Sequence, residues 1–369
     1  MKALVAPDYG ISRLTVADRP VPSPGPGQLL CRVEAAALNP FDLRLVAGAL
    51  RGRVPAHFPF VIGMDVAGTV EAVGDGVTSF AAGDPVIAVT RPDEGTIAEY
   101  ALVDEGPAVC LRPDGLDAIR GAALPESGLT ALDLLRAVDG GVTSPLAWSR
   151  HPGLGPVGSE AAGAGSKEEH LRVSAGRAGW EASGGTKEDH YRASSGRAPL
   201  HGRRLLVIGA TGGIGQFIVQ LAADLGAWVI ATATPDDVRY VRVLGASSVI
   251  DYTAGDVPGA ALRIAPDGVD LAVDLVDAGP DLRPVARAVR PGGRIVSPLD
   301  GPADFGHGVT GRYIGTFQAR PGELAHLAAR VANGRLSVEV GACYPLAEAP
   351  RAVVDYATEH IRGKIVIRI

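Results

Sequence analysis

The sequence predicts an α/β protein of two lobes, one a bent, barrel-like β domain and the other a doubly wound parallel sheet. Three observations carry this. Residues 1 to about 121 hold short apolar runs separated by glycine and proline, a pattern of curved antiparallel strands. Leu205 to Ile208 then runs into a glycine-rich turn and leaves it as a helical repeat, the opening of a βαβ unit. Beyond that point strand and helix patterns alternate, as a parallel sheet covered on both faces requires.

Taken in order, Lys2 to Ala6 is a short strand, Pro20 to Gly27 a rigid approach rich in turn residues, and Leu29 to Ala36 a second strand. Val61 to Val70 leads through Gly74 to the strand around Val86, and Gly95 to Val103 supplies one more. From Leu124 the period changes. Leu129, Leu132 and Leu135 recur at a spacing of three, so the helix opening at Pro125 carries the chain from the barrel into the second lobe.

The turn Ala210-Thr211-Gly212-Gly213-Ile214-Gly215 precedes a helix with Phe217, Ile218, Leu221, Ala222 and Leu225 on one face. Glycines permit the close bend, and the first N–H groups of the helix point at whatever lies over it. The natural occupant is a pyrophosphate, held by those N–H groups and by the helix dipole. A second strand at Trp228 to Ala231, a helix from Pro235 to Leu244 and a third strand at Val249-Ile250 complete one mononucleotide-binding half. The second half is expected from a strand at Val269 to Val276, a helix at Leu282 to Val289 and a strand at Gly293 to Val296. Amphipathic helices over 321–334 and 348–360 precede a last strand, Lys364 to Ile369, which is expected to rejoin the first lobe. The expected division is therefore a catalytic domain over 1–121, a nucleotide-binding domain over 122–312, and a return to the catalytic domain over 313–369.

Residues 142–200 interrupt this plan. They are rich in glycine, alanine and serine, and Ser166 to Ala178 returns as Thr186 to Ala198. Two polar copies are too few for a solenoid. The segment lies before the first parallel strand, away from the carboxyl ends where ligands gather, so a mobile surface insertion is expected. A partner contact through Trp148 and Trp180 is the other reading; His170 and His190 have no cysteine beside them, and no metal is expected.

With 369 residues the chain has ample core for two domains, and its net charge of −6, with no dominant basic patch, disfavours nucleic acid. Cys31, Cys110 and Cys343 are too scattered for a disulfide framework or a clustered zinc site. No signal-like or membrane-length apolar run is evident, so a cytoplasmic location is expected.

The landmarks Asn39-Pro40-Phe41-Asp42, Gly63-Met64-Asp65-Val66-Ala67-Gly68, Gly83-Asp84-Pro85-Val86, Leu124-Pro125 with Gly128-Leu129-Thr130-Ala131, Ala210 to Gly215, Leu244-Gly245-Ala246, Pro291-Gly292-Gly293-Arg294 and Arg362-Gly363-Lys364 run in a recognisable order. In this the chain resembles the medium-chain dehydrogenase/reductase superfamily, in its zinc-independent quinone oxidoreductase and enoyl reductase branch. The resemblance implies a GroES-like barrel, a Rossmann domain, an active site in the cleft between them, a nicotinamide cofactor and a homodimer. In zinc-dependent relatives a cysteine ligand falls where Asn39 stands and a Gly-His-Glu stretch where Gly63-Met64-Asp65 stands, so no zinc is expected.

A quinone or an α,β-unsaturated carbonyl accepts hydride without a metal, provided the protein supplies orientation and a donor for the developing oxyanion. The resemblance offers Asn39 and Thr130 as cleft residues; read plainly, they are a turn residue before Pro40 and a helix-surface hydroxyl. Asp42 reads as a structural acceptor. Arg44 stands at or beside the place of a tyrosine in many relatives, where it would stabilise an enolate or simply face solvent; an arginine is no proton donor at neutral pH. Thr234 replaces the carboxylate that grips a ribose in NAD enzymes, so NADP(H) is preferred and NAD(H) is the other possibility. Arg239 or Arg242 would pair with the 2′-phosphate, against repulsion from Asp236 and Asp237. Lys364 is expected to close over the cofactor. An enoyl-thioester reductase and a non-catalytic nucleotide-binding protein are the rival readings.

Overall fold

The computed structural model describes residues 1–54, 56–92, 94–138 and 200–369. Nearly all of the 142–200 interruption, with its repeat, Trp148, Trp180, His170 and His190, lies outside the described residues.

The first lobe opens with β1 (Lys2–Ala6), β2 (Thr15–Asp18) and β3 (Gln28–Ala37), followed by helix α1 (Pro40–Val46) and the short β4 (Phe60–Val61). Strands β5 (Asp65–Val73), β6 (Pro85–Val89), β7 (Tyr100–Asp104) and β8 (Val109–Leu111) follow, then helices α2 (Ala118–Ala122) and α3 (Pro125–Val138). Strand β3 is the spine, pairing antiparallel with both β5 and β7. Gly68 faces it without a side chain, and a Cβ there would stand 2.3 Å from the Arg32 carbonyl oxygen. The strand expected over Gly95 to Val103 begins only at Tyr100, because Thr96 and Ile97 instead turn back to bond Gly63 and Ile62.

The second lobe comprises β9 (Arg204–Ile208), α4 (Gly213–Asp224), β10 (Trp228–Ala233), α5 (Val238–Val243), β11 (Ser248–Asp251), α6 (Val257–Ile264), β12 (Val269–Asp274), β13 (Val289–Ser297) and β14 (Thr310–Tyr313). All its strand pairs are parallel, in the order β11-β10-β9-β12-β13-β14. The helix expected at Leu282 to Val289 is a 3-10 segment, Gly279–Ala288, which carries Pro284 inside it. Proline has no N–H to give an α-helical ladder, and the tighter turn tolerates it.

Helix α7 (Glu323–Ala332) leads to β15 (Val340–Pro345), α8 (Ala349–Thr358) and β16 (Lys364–Arg368). Strand β16 pairs antiparallel with β3, so the end of the chain is built into the first lobe's sheet. One apolar cluster runs through α3 from Ala35, Ala67 and Ile87 of the barrel to Leu205 and Val207 of β9 and Phe217 and Leu221 of α4, joining the lobes. On α3 the buried Arg136 pairs with Asp133 and with Glu323 of α7, so the charge carried into this contact is paired, although the Arg136 Nε finds no hydrogen-bond partner among the described residues.

Both described flanks of the interruption sit at the amino ends of the parallel strands. Arg294 of β13, level with Leu271 near the start of β12, holds the Ala137 and Val138 carbonyls at 2.9 and 3.1 Å, while Leu200 N–H bonds Leu225 O at 3.2 Å, just before β10. Among the described residues no helix is long and apolar enough to cross a membrane.

Candidate active site

The turn after β9 bends sharply because glycine allows it. Gly209 has φ +82°, and a Cβ on Gly215 would lie 2.1 Å from Gly209 O, inside any permitted contact. Helix α4 therefore starts tight against the strand. Its first N–H groups, on Gly213, Ile214 and Gly215, have no acceptor among the described residues, while Gln216 N–H returns to Gly212 O at 3.1 Å. Orphan donors at a helix N-terminus beside a glycine bend suit a pyrophosphate, so this part of the site fits a dinucleotide. Ala210, Thr211, Gly212, Gly213, Ile214 and Gly215 are thus brought together as expected.

Across the cleft, Lys364 extends its buried side chain from the start of β16 into a polar cluster. Its ammonium donates to Asn39 Oδ1, to Asp65 Oδ2 at 3.1 Å and to Ser127 Oγ at 3.3 Å, which uses all three of its N–H bonds. Asn39 Nδ2 donates to the same Asp65 oxygen at 3.0 Å, and Glu126 N–H donates to the other at 2.8 Å. Asp42 accepts the Asn39 backbone N–H at 2.8 Å, which fixes the entry to α1. The expected structural part for Asp42 is consistent with that bond.

Thr130 is buried rather than a surface hydroxyl, and its Oγ1 donates to Glu126 Oε1 at 3.2 Å; Ser127 Oγ donates to Oε2 at 3.2 Å. Glu126 itself is partly exposed. The cluster abuts the glycine turn: a Cβ on Gly213 would come within 2.7 Å of Lys364 Cδ and 3.2 Å of Ser127 Oγ. Burial drives the Asp42 carboxyl up to about 7, with the Asp65 charge adding to the rise and Lys364 opposing it. Burial, then the Asp65 charge, likewise raises Glu126, against the pull of Lys364 and the two hydroxyls.

The remaining candidates lie elsewhere. Arg44 sits half-buried on α1, with no hydrogen bond from its guanidinium among the described residues and no place in the Lys364 cluster. Thr234 follows directly on β10, and its hydroxyl donates to Asp237 Oδ2 at 3.1 Å. Asp237 is buried and already paired with Arg362 at 3.0 Å and His360 at 3.2 Å. Arg239 and Arg242 are exposed on α5. Asp65, Glu126 and Ser127 escaped assignment from sequence. The available signal was polarity at positions 65 and 126–127 within otherwise apolar landmarks.

The Alcohol dehydrogenase GroES-like domain model matches residues 25–113, and the Zinc-binding dehydrogenase model matches 244–367. The chain is 29% identical to the chloroplast envelope quinone oxidoreductase homolog of Arabidopsis thaliana, over all of this chain and 98% of that one. It is 31% identical to the trans-enoyl reductase tazE of Aspergillus terreus, over 70% of this chain and 71% of that protein. Its fold superposes on the quinone oxidoreductase of Coxiella burnetii with a TM-score of 0.73 at 24% identity, covering 100% and 99% of the two chains.

The name of the second model implies zinc, and the residues do not fit it. Asn39, Met64 and Asp65 stand at the ligand positions, and the Lys364 ammonium already lies between Asn39 and Asp65, where a second cation would be repelled. Among the described residues no group of three or more His, Cys, Asp or Glu is placed to hold a metal ion. Barrel, parallel sheet, glycine turn and ordered landmarks agree with these relatives, and the chain belongs to the medium-chain dehydrogenase/reductase superfamily, in its quinone oxidoreductase and enoyl reductase-like branch.

Proposed function

We propose that the protein is an NAD(P)H-dependent, metal-independent oxidoreductase that reduces a quinone or an α,β-unsaturated carbonyl. The observation that carries this reading is the Lys364–Asn39–Asp65–Glu126–Thr130 cluster set directly against the orphan N–H groups of α4. A reduced nicotinamide bound there supplies a hydride. The chain supplies the rest: Gly213 to Gly215 hold the pyrophosphate, Lys364 supplies a fixed positive charge beside the cleft, and Asn39 and Thr130 orient its polar groups. Catalytic segments 1–121 and 313–369 enclose the substrate against a nucleotide domain over 122–312. Arg44 of α1, whose guanidinium makes no hydrogen bond among the described residues, is in this reading a contact for the substrate's oxygen. A trans-enoyl reductase among the relatives favours a second reading, an enoyl-thioester substrate.

NADP(H) is the preferred cofactor in this reading. Thr234 adds no charge at the ribose end of β10, and the Asp237 carboxylate is offset by Arg362, so a 2′-phosphate meets less repulsion there. Arg239 or Arg242 of the exposed face of α5 is the cation this reading assigns to the 2′-phosphate. Thr234→Asp is expected to lower NADPH affinity relative to NADH on the order of tenfold, about 1.4 kcal/mol. Fluorescence titration with both nucleotides measures this, and an unchanged ratio removes Thr234 from the part. A cytoplasmic homodimer completes the reading, with the open edge of the parallel sheet at β14 as a subunit contact; light scattering gives the mass.

The function itself is tested by titrating NADPH and NADH, then following cofactor oxidation with a panel of quinones, enones and enoyl thioesters. Turnover of a conjugated acceptor is the expected result. Tight nucleotide binding with no turnover on any of them would leave a nucleotide-binding protein without this activity.

A further inference from the structure

We propose that Glu126 is the acid that protonates the substrate's α-carbon, so that the site is built for a conjugated alkene carbonyl in preference to a quinone. This rests on the hydride-transfer reading above. The cluster holds three carboxyls, Asp42, Asp65 and Glu126. Asp42 and Asp65 are buried and Lys364 has no N–H left to give, whereas Glu126 is only partly buried.

Its carboxyl is held in one place. Glu126 lies in the first turn of α3, its N–H fixed by Asp65, while Thr130 and Ser127 clamp its two oxygens at 3.2 Å each. Through Ser127 the carboxyl is one side chain away from Gly213 of the nucleotide turn. The charged and titratable groups around it are Lys364 of β16, Asp65 of β5, Asp42 of α1 and Tyr356 of α8. Burial and the neighbouring carboxylates favour its neutral form, Lys364 and the two hydroxyls its ionised form, and the net direction is upward.

Only one of the two substrate classes needs such a group. A reduced quinone takes its protons on oxygen, which exchanges freely with water. A reduced enone must be protonated on carbon, a slow event that a positioned acid accelerates by about 10²–10⁴-fold. In the step the substrate's β-carbon would accept a hydride, with the two electrons it carries, supplied by a bound reduced nicotinamide. The alkene π pair moves to form an enolate, the Glu126 O–H bond breaks as the α-carbon–hydrogen bond forms, and the Glu126 carboxylate regains a proton from water. The products are the saturated carbonyl compound and NAD(P)⁺.

Glu126→Gln keeps the shape and one acceptor oxygen, turns the other position into a donor, and removes the acidic proton; Glu126→Asp keeps an acid and withdraws it. On an enone, E126Q is expected to lose about 10²-fold or more in kcat with little change in KM, and to lose the alkaline fall of the wild-type pH profile, while E126D recovers part of the rate. A readout independent of turnover is the infrared difference spectrum of wild type minus E126Q at neutral pH, which should show a protonated carboxyl band. An E126Q enzyme with wild-type kcat and pH profile, a missing carboxyl band, or a wild type that turns over quinones and no enone would each overturn the assignment. A wild type inactive on every conjugated acceptor sinks the hydride-transfer reading as well, so the two failures are told apart.

Discussion

Asp42 shows how burial at one residue becomes a property of the whole chain. Its carboxyl accepts the Asn39 N–H, yet burial holds its folded-state pKa near 7 against an ordinary 3.8. As pH rises through that window the unfolded chain releases the proton first and the native state keeps it, so this residue lowers stability as pH rises from about 4 to about 7. Asp274, buried at the end of β12 and raised to about 6 by burial, acts in the same direction, so the residue must be isolated by substitution. Asp42→Asn preserves an acceptor for Asn39 and cannot ionise. Relative to wild type it should gain about 1 kcal/mol or more between pH 4.5 and pH 7.5 in denaturant unfolding; an equal difference at both values would refute the argument. At this scale the sequence revealed Asn39, Thr130 and Lys364, because each sits inside an ordered motif. It did not reveal that Asp65, Glu126 and Ser127 complete the same cluster. Asp65 leads β5, Glu126 opens α3 and Lys364 starts β16, and only the tertiary fold brings three such distant positions within hydrogen-bonding range.

Among the elements, the β9–turn–α4 unit was the most legible, since a buried strand, a glycine bend and an amphipathic helix are each local signals. The same locality makes it testable. A Cβ on Gly215 would lie 2.1 Å from Gly209 O and 2.8 Å from Ala210 backbone atoms, whereas one on Gly212, at φ −78°, would meet nothing closer than Gly209 O at 3.5 Å. Gly215→Ala should therefore cost about 1–3 kcal/mol by forcing helix and strand apart, and should weaken nucleotide binding at least on the order of tenfold. Gly212→Ala should stay within about 0.5 kcal/mol of wild type. Thermal melts and nucleotide titrations of the pair decide this, and equal penalties would mean that the close approach is not what fixes the turn. Other elements were harder to see for physical reasons. Helix α1 is only seven residues long, too short to display a period. The Gly279–Ala288 segment has an amphipathic pattern that reads as an α-helix, and Pro284 diverts it to a 3-10 form.

In the whole molecule, the end of the chain locks the two lobes around the cleft. Gly363 N–H bonds Thr211 O in the nucleotide turn at 2.8 Å, and the next residue, Lys364, sends its ammonium to Asp65 at the start of β5. On the other side, Gln216 and Gln220 of α4 bond the backbone at Glu339 and Ser337, leading into β15. The return of the last strand was legible as an apolar run; that its first residue is the charged centre of the cleft was not, because a lysine at a strand end usually faces solvent. Both partners of the pair are almost wholly enclosed, at 1% and 0% exposure, so a lone survivor would be an unpaired buried charge. Lys364→Met should cost about 3–5 kcal/mol, since Asp65 would keep only neutral donors, and Asp65→Asn should be comparably harmful because it strands the ammonium. The double variant removes both charges and should be more stable than the sum of the two losses allows, with a coupling of about 0.5–3 kcal/mol in a double-mutant cycle. Urea unfolding of the four proteins measures that coupling. Strict additivity would mean that the two charges do not stabilise one another, and that the ammonium is in the cleft only for its charge.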